Sequence, residues 1–245
     1  MTANVRIGTS GWNYEHWRGD YYPEDLPQRD WFSHYAKHFS TVEINNTFYH
    51  QPDHGTFDDW RGQAPEGFVY SVKANRYLTH LKHLKDAEKP LRHFLSGVRR
   101  LGEHGGPILY QLPPHWNRHL ERLEKFLKIL PQDLEHVFEF RNRDWLSEPT
   151  YELLGHYGAS LCVHDLLRRH PRRATGRVVY VRFHGSGKKY GDRYPKRSLR
   201  SWASWIQEIA ADRDVDAYFN NDKRAHAITD AGRLKSLLDE GPRDS

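Results

Sequence analysis

Cysteine is almost missing from this chain of 245 residues: Cys162 is the only one. An internal disulfide is thereby excluded, and so is a zinc centre built on paired cysteines. Long hydrophobic runs are missing as well. No apolar stretch approaches the ~18 residues of a membrane-crossing helix. The N-terminus has no basic stretch leading into an apolar one, the pattern that marks a secretory signal. The expectation is therefore a cytoplasmic protein with no membrane partner. Acidic residues are the scarcer charge. Asp and Glu number 32 against 37 Lys and Arg, which leaves +5, and 17 His can add to that in mild acid. The excess favours anionic partners without naming one, and a solvated basic surface explains it equally well. Hydrophobic residues make up only 37%, yet aromatics reach 13%. Large rings supply core area that aliphatics do not, so a globular fold is expected.

The chain is organised around residues 41–49, which read as a β-strand of alternating character. Val42 and Ile44 fall on one face, Glu43 and Asn45 on the other. A carboxylate flanked by Val and Ile is costly to bury unless it is paired or used. Further strands are expected at 5–9, 68–74, 107–112, 136–140, 160–164, 177–184 and 216–221. Helices are expected at 28–39, 54–63 with Asp53 as cap, 87–103 ended by Gly105 and Gly106, 117–130 with Asn117 as cap, 147–157, 198–211 and 224–238. The connection through 168–173 shows no helix signal. Eight strand–helix units of ~30 residues, with no linker or low-complexity tract, imply one α/β domain over residues 1–245: a closed (β/α)8 TIM-like barrel. A doubly wound sheet is the alternative, but it normally carries a glycine fingerprint after the first strand. Gly8-Thr9-Ser10-Gly11 is too weak to be one.

In a barrel strand, alternate residues face the helices and the interior. One parity is apolar: Val42 and Ile44, Tyr70 and Val72, Ile108 and Tyr110, Phe138 and Phe140, Val179, Val181 and Phe183. The other gives Glu43, Asn45, Ser71, Lys73, Gln111, Glu139, Arg141, Asp165, Arg182, His184 and Asn220. These polar residues sit toward the C-terminal halves of the strands, the end at which barrels build their sites. An internal ion-pair network that only fills the barrel uses the same residues, since Glu43, Glu139 and Asp165 balance Lys73, Arg141 and Arg182. Such networks add little stability over apolar filling, which favours a site.

The same residues carry a resemblance. Gly8-Thr9-Ser10-Gly11-Trp12, Val42-Glu43-Ile44-Asn45 with Thr47-Phe48-Tyr49, Lys73-Ala74, Gln111-Leu112-Pro113-Pro114, Glu139-Phe140-Arg141, Arg182-Phe183-His184-Gly185 and Tyr218-Phe219-Asn220-Asn221 occur in that order. In this the chain resembles the YecE-like (DUF72) family of domains of unknown function, over nearly its whole length. The resemblance implies a TIM-like barrel and no particular activity. A distant likeness of such barrels to endonuclease-IV-like and xylose-isomerase-like enzymes is one of fold alone. The short, Arg-rich sixth connection departs from the family's pattern.

Glu43, Glu139, Lys73 and His184 are the candidate catalytic groups. Glu139 has Arg141 on its own face, which should keep it ionised, while Glu43 has only amides nearby, which suits a proton donor. His184 can exchange protons near neutrality. Lys73 and Arg182 can clamp an anion, and a Schiff-base role for Lys73 is a further option. Asn45, Gln111, Arg141, Asp165, Arg182, Asn220 and Trp12 complete the expected binding set. No cofactor is predicted. A divalent metal on Glu43, Glu139, Asp165 and His184 is an open alternative, although the adjacent cations compete for those carboxylates. The glycine-rich, basic segment 185–191 suits a phosphate, or is simply a surface loop. Trp12, Tyr14, Trp17, Tyr21 and Tyr22 either stack on a ligand or pack on one another, with Trp12 expected to face the ligand. The expected function is an enzyme of hydrolase, lyase or isomerase type, doing acid–base chemistry on a small phosphorylated or otherwise anionic compound. A nucleic-acid-binding or -cleaving barrel, using 168–173 and 188–197, is the alternative. A glycoside hydrolase with two flanking carboxylates is the third.

Overall fold

Eight parallel strands close on one another in chain order in the computed structural model, which describes residues 3–187 and 190–240. They are β1 (Val5–Ser10), β2 (Thr41–Ile44), β3 (Val69–Lys73), β4 (Gly105–Leu112), β5 (His136–Phe140), β6 (Ser160–His164), β7 (Val178–Phe183) and β8 (Asp214–Phe219). Pairing of β1 with β8, from Val5 opposite Val215 to Thr9 opposite Phe219, shuts the barrel. The helices are α1 (Trp31–Ala36), α2 (Asn46–Tyr49), α3 (His54–Gln63), α4 (Glu88–Val98), α5 (Leu120–Lys128), α6 (Glu148–His156), α7 (Lys196–Ile209) and α8 (His226–Asp239). No helix among the described residues is long and apolar enough to cross a membrane.

The outward parity builds the main core. Val42, Ile44, Tyr70, Val72, Ile108, Tyr110, Phe138, Phe140, Val179, Val181 and Phe183 are all buried between strands and helices, as their alternation requires. Full burial of one such side chain stabilises by about 1.5–3 kcal/mol. The aromatic loop between β1 and α1 joins this core. Trp17 and Tyr22 are buried, and Tyr22 stacks on Trp31 at 4.6 Å. Rings thus supply the area that the short aliphatic inventory does not.

A smaller cluster lies inside the barrel: Leu109, Val137, Cys162, Val178, Tyr180 and Tyr218. Around it the polar interior residues are closed by one another. Thr41 pairs with the Tyr218 hydroxyl at 2.7 Å and Ser71 with the Tyr180 hydroxyl at 2.6 Å. At the N-terminal mouth Arg6 makes a bidentate pair with Asp216, at 2.6 and 3.0 Å. Glycine is required where strands crowd. A Cβ on Gly8 would stand 2.3 Å from the Thr41 carbonyl oxygen.

Three local expectations are corrected and a fourth is met. β2 ends at Ile44 and residues 46–49 form a helical turn. The Asn45-Asn46 pair breaks the alternation and favours a turn, and the Thr47 hydroxyl donates to the Lys73 carbonyl at 2.7 Å, tying that turn to β3. Gly105 and Gly106 open β4 rather than end a helix. A Cβ on Gly106 would lie 2.5 Å from a Val69 methyl, so the start of β4 can approach β3 only without one. Asn117 caps nothing. His119 caps α5 by accepting from the Arg122 amide at 3.3 Å, while Asn117 accepts from the Asn142 side chain at 3.0 Å. Finally, no helix lies between β6 and β7, in line with the absent signal at 168–173. That connection is pinned by Thr175, whose hydroxyl donates to the Ala159 carbonyl at 2.8 Å and accepts from the Leu161 amide at 2.9 Å.

Candidate functional site

At the C-terminal end of the barrel the interior parity turns from apolar to charged. Arg182 of β7 is the hub and is fully buried. One terminal nitrogen donates to Glu43 of β2 at 2.8 Å and to the Ser10 hydroxyl of β1 at 3.1 Å. The other donates to Glu139 of β5. Arg141, two residues beyond Glu139, donates to that carboxylate's second oxygen at 2.6 Å. Glu43 also accepts from the Ser10 hydroxyl and from Tyr180 at 2.7 Å. Both carboxylates are thus saturated with donors, and the cations beside Glu139 hold its carboxyl well below the usual range against the opposing effect of burial.

Above this layer opens a cavity of about 590 Å³. Tyr14, Asn45, Phe48, Tyr49, Lys73, Arg76, His80, Gln111, Arg141, Tyr190, Asn220 and Asp222 line it. Five expected site residues therefore meet there: Asn45, Lys73, Gln111, Arg141 and Asn220. Lys73 ends β3 and is 9% exposed. Its Nζ lies 4.1 Å over the Phe48 ring and makes no hydrogen bond or ion pair to any described residue. Burial, with Arg182 and Arg141 nearby, brings its pKa down to about 7, against the pull of Glu139 and Glu43. His80 packs edge-on to the same Phe48 ring at 5.0 Å and is held to about 4 by burial and by Lys73. Two amide oxygens of the lining, Asn45 Oδ1 and Gln111 Oε1, are buried without a partner among the described residues.

Several expected roles change with depth. Glu43 and Glu139 are both fully buried and neither lines the cavity, because donors from β1, β5 and β7 close over them. Arg182, expected to clamp an anion, already has both terminal nitrogens occupied. His184 is buried, its Nδ1 faces Asp165 at 3.3 Å, and burial lowers its pKa to about 4. It is therefore neutral at pH 7 rather than poised to exchange a proton there. Asp165 lies past the end of β6, so it does not belong to the interior parity. It ties loops together by accepting from the His184 amide at 2.9 Å and from the Tyr194 hydroxyl. Trp12 packs against Phe32, Trp60 and Tyr70 at 5.5, 6.4 and 6.4 Å, and Tyr14 of the same loop lines the cavity instead. In the 185–191 segment the Gly185 amide donates to Tyr194 at 2.7 Å and is not free for a phosphate. Lys188 and Lys189 lie outside the described residues. No group of three or more His, Cys, Asp or Glu among the described residues is arranged to hold a metal ion.

The inner parity of β6 runs Ser160, Cys162, His164, and counting two residues on from Cys162 would have found His164. It is fully buried, donates from Nε2 to the Phe140 carbonyl at 2.9 Å, and lies with its ring 4.3 Å from His170 and 6.0 Å from His184. Arg76, His80 and Tyr190 carried no signal. His80 reaches the cavity from the helical turn Tyr77–Leu81, Arg76 from just before it and Tyr190 from a loop, where strand parity does not apply.

The family model for the protein of unknown function DUF72 matches residues 6–244. The chain belongs to the DUF72 family. The UPF0759 protein YunF of Bacillus subtilis is 26% identical over 279 residues, covering 96% of this chain and 95% of its own. The UPF0759 protein YecE of Escherichia coli K12 is 29% identical over 115 residues, 46% of this chain and 42% of its own. Among solved structures, a DUF72 family protein of Thermotoga maritima superimposes with a TM-score of 0.88 at 28% identity, covering 96% of this chain and 99% of that one. These likenesses establish the DUF72 barrel, and the family's description assigns it no reaction.

Proposed function

We propose that the cavity binds a small phosphorylated or otherwise anionic compound and that Lys73, rather than either buried glutamate, is the group that exchanges a proton with it. One observation carries this reading. Among the described residues, the two arginines projecting inside the barrel at this level, Arg182 and Arg141, each have a carboxylate partner, whereas Lys73 faces the cavity with none. Glu43 and Glu139 balance Arg182 and Arg141, and on the cavity wall Asp222 offsets Arg76, so Lys73 is the surplus charge. An anion settling there completes the pairing that the protein leaves open. The two glutamates then serve as fixed charges beneath the floor, orienting Arg141 toward the ligand.

The small-anion reading is favoured over the nucleic-acid one by the fate of the basic loop. Arg172 stacks on Trp202 at 3.9 Å and Arg173 pairs with Glu148 at 2.8 Å, so both are engaged with the barrel's own helices. A glycoside hydrolase needs two carboxylates open to the sugar, and here one guanidinium joins both of them under the floor.

Titration calorimetry with sulfate, which does not itself titrate near neutrality, tests the proposal. An anion beside Lys73 raises its pKa, so binding at pH 7 should take up about half a proton. That uptake should appear as a dependence of the measured heat on the buffer's ionisation enthalpy, and Lys73→Met should abolish it. Binding without proton uptake, or undiminished binding in Lys73→Met, would overturn the assignment.

A further inference from the structure

We propose that Lys73 is a nucleophile as well as a base, and that it forms an imine with a hydroxy-aldehyde or hydroxy-ketone bearing an anionic group. The inference rests on the reading of the cavity as a small-anion site and adds the class of compound and the bond made. Three features of the lining support it. Lys73 is held in place, since the Phe48 ring lies against its Nζ at 4.1 Å and Phe48 sits on the turn that Thr47 ties to the Lys73 carbonyl. Anion binding has its own groups, because Arg141 and Arg76 line the cavity with permanent charge. Sulfate can settle beside Lys73 itself, but in a longer compound Arg141 and Arg76 can take the anionic end, which sets its carbonyl rather than its charge against Lys73. Under an aromatic ring and beside Arg141, its value is as an amine. Finally, Asn45 Oδ1 and Gln111 Oε1 are buried acceptors with no donor among the described residues. A substrate rich in hydroxyl groups supplies donors to both.

The step balances without any further reagent. The lone pair of the Lys73 amine attacks the carbonyl carbon, and the C–N bond forms as the C=O π pair moves to oxygen. The nitrogen gives up a proton and the oxygen gains one, which yields the carbinolamine. A second proton then passes from nitrogen to the hydroxyl, water leaves, and the C=N bond closes. Amine and carbonyl have become imine and water, with nothing oxidised or reduced. His80, neutral at pH 7 and edge-on to the same Phe48 ring, shares the cavity wall, with its ring nitrogens facing the Thr79 hydroxyl at 2.9 Å and the Gln111 amide at 3.5 Å.

Borohydride trapping on the native chain tests the proposal. Glyceraldehyde 3-phosphate is the probe, and glyceraldehyde is the control that lacks the anion. At pH 7 about half of Lys73 is free amine, against roughly one in 2,500 for an ordinary lysine. After reduction and peptide mapping, the adduct should sit on Lys73 and form at least ~10-fold faster than on surface lysines. The phosphorylated probe should outpace glyceraldehyde, sulfate should slow it, and Lys73→Arg should leave only the surface background. Mapping on the native chain stands even if that variant fails to fold. Lys73 labelled no faster than surface lysines would overturn the imine. If sulfate still bound with proton uptake in that case, the anion site would survive alone. Equal rates with both aldehydes and no protection by sulfate would overturn the proposal together with the anion reading.

Discussion

The two ends of the barrel interior are built from the same strands and obey opposite rules. Toward the N-terminal mouth, polar groups close on one another: Arg6 with Asp216, Thr41 with Tyr218, Ser71 with Tyr180, and the Ser160 hydroxyl with the Val178 carbonyl at 2.6 Å. Toward the C-terminal mouth they do not. The buried side-chain atoms without a partner among the described residues are Asn45 Oδ1, Gln111 Oε1, His164 Nδ1, His170 Nε2, Arg182 Nε, His184 Nε2 and Asn221 Oδ1. All seven lie at the C-terminal ends of strands or in the loops that follow. An unmet buried polar atom costs about 1–3 kcal/mol, so this end is held below the stability its packing would allow. The contrast separates a region whose polar groups are closed by the fold from one in which several are left unmet among the described residues.

The largest expected effect is at the junction of the two regions. Arg182→Met leaves Glu43 and Glu139 buried with their central partner gone, and should lower stability by about 3–5 kcal/mol in denaturant titration. Glu139→Gln should also lose several kcal/mol, because it strands Arg141 and Arg182. A loss under ~1 kcal/mol in either variant would mean that the layer is not the structural floor inferred here.

Next in size is Lys73→Met, which should stabilise the protein. A lysine whose folded pKa lies near 7, below its unfolded value, contributes stability that is present above about 10.5 and is lost as the pH falls through 7. At pH 7 the gain on removing it should be ~2–4 kcal/mol, allowing for local relaxation. The variant should also lose the native protein's rise in stability between pH 7 and 10.5. Destabilisation by Lys73→Met would place this residue with the closed region instead.

Tyr180→Phe should cost about 1.5–3 kcal/mol, since it removes a buried donor to the Glu43 carboxylate. Tyr14→Phe, at the cavity wall, should cost less, because its hydroxyl donates only to the Ser10 carbonyl, at 2.7 Å.

The last prediction concerns pH. Burial holds His164, His170 and His184 below their ordinary values, with the last two near 4. Their contribution is full above the unfolded value of ~6.5 and declines as the pH falls toward 4. Glu139, also depressed, adds its own loss below its unfolded value of ~4.5. Beyond the loss through pH 7 assigned to Lys73, the melting temperature should therefore fall further below pH 6.5, before Glu139 titrates. His164→Asn should flatten the upper part of that fall. An unchanged profile would show that the cluster is not protonated on unfolding.

Much of this architecture was legible. Hydrophobic alternation located all eight strands, and the bounds of β5 and β6 agree with expectation at both ends. Parity placed Lys73, Gln111, Arg141 and Asn220 inside and their apolar neighbours outside. What went astray lay where parity stops: Asp165 beyond β6, Trp12 in a loop, and Asn46–Tyr49 folding into a turn. Arg76 and His80 reached the cavity from the short helical turn after β3, to which no strand period applies.

The sequence by itself determined which side of each strand faces the interior, because a side chain's face follows from the two-residue period of its own strand. Only the tertiary structure decided how deep each interior residue lies. Depth depends on the stagger between neighbouring strands, which sets Gln111 opposite Glu139 and His164 opposite Arg182 around the closed barrel. No strand carries that stagger alone. Glu43, Glu139 and Arg182 read in sequence like Lys73 and Arg141, yet closure of the barrel buries the first three beneath the floor and leaves the other two at the cavity.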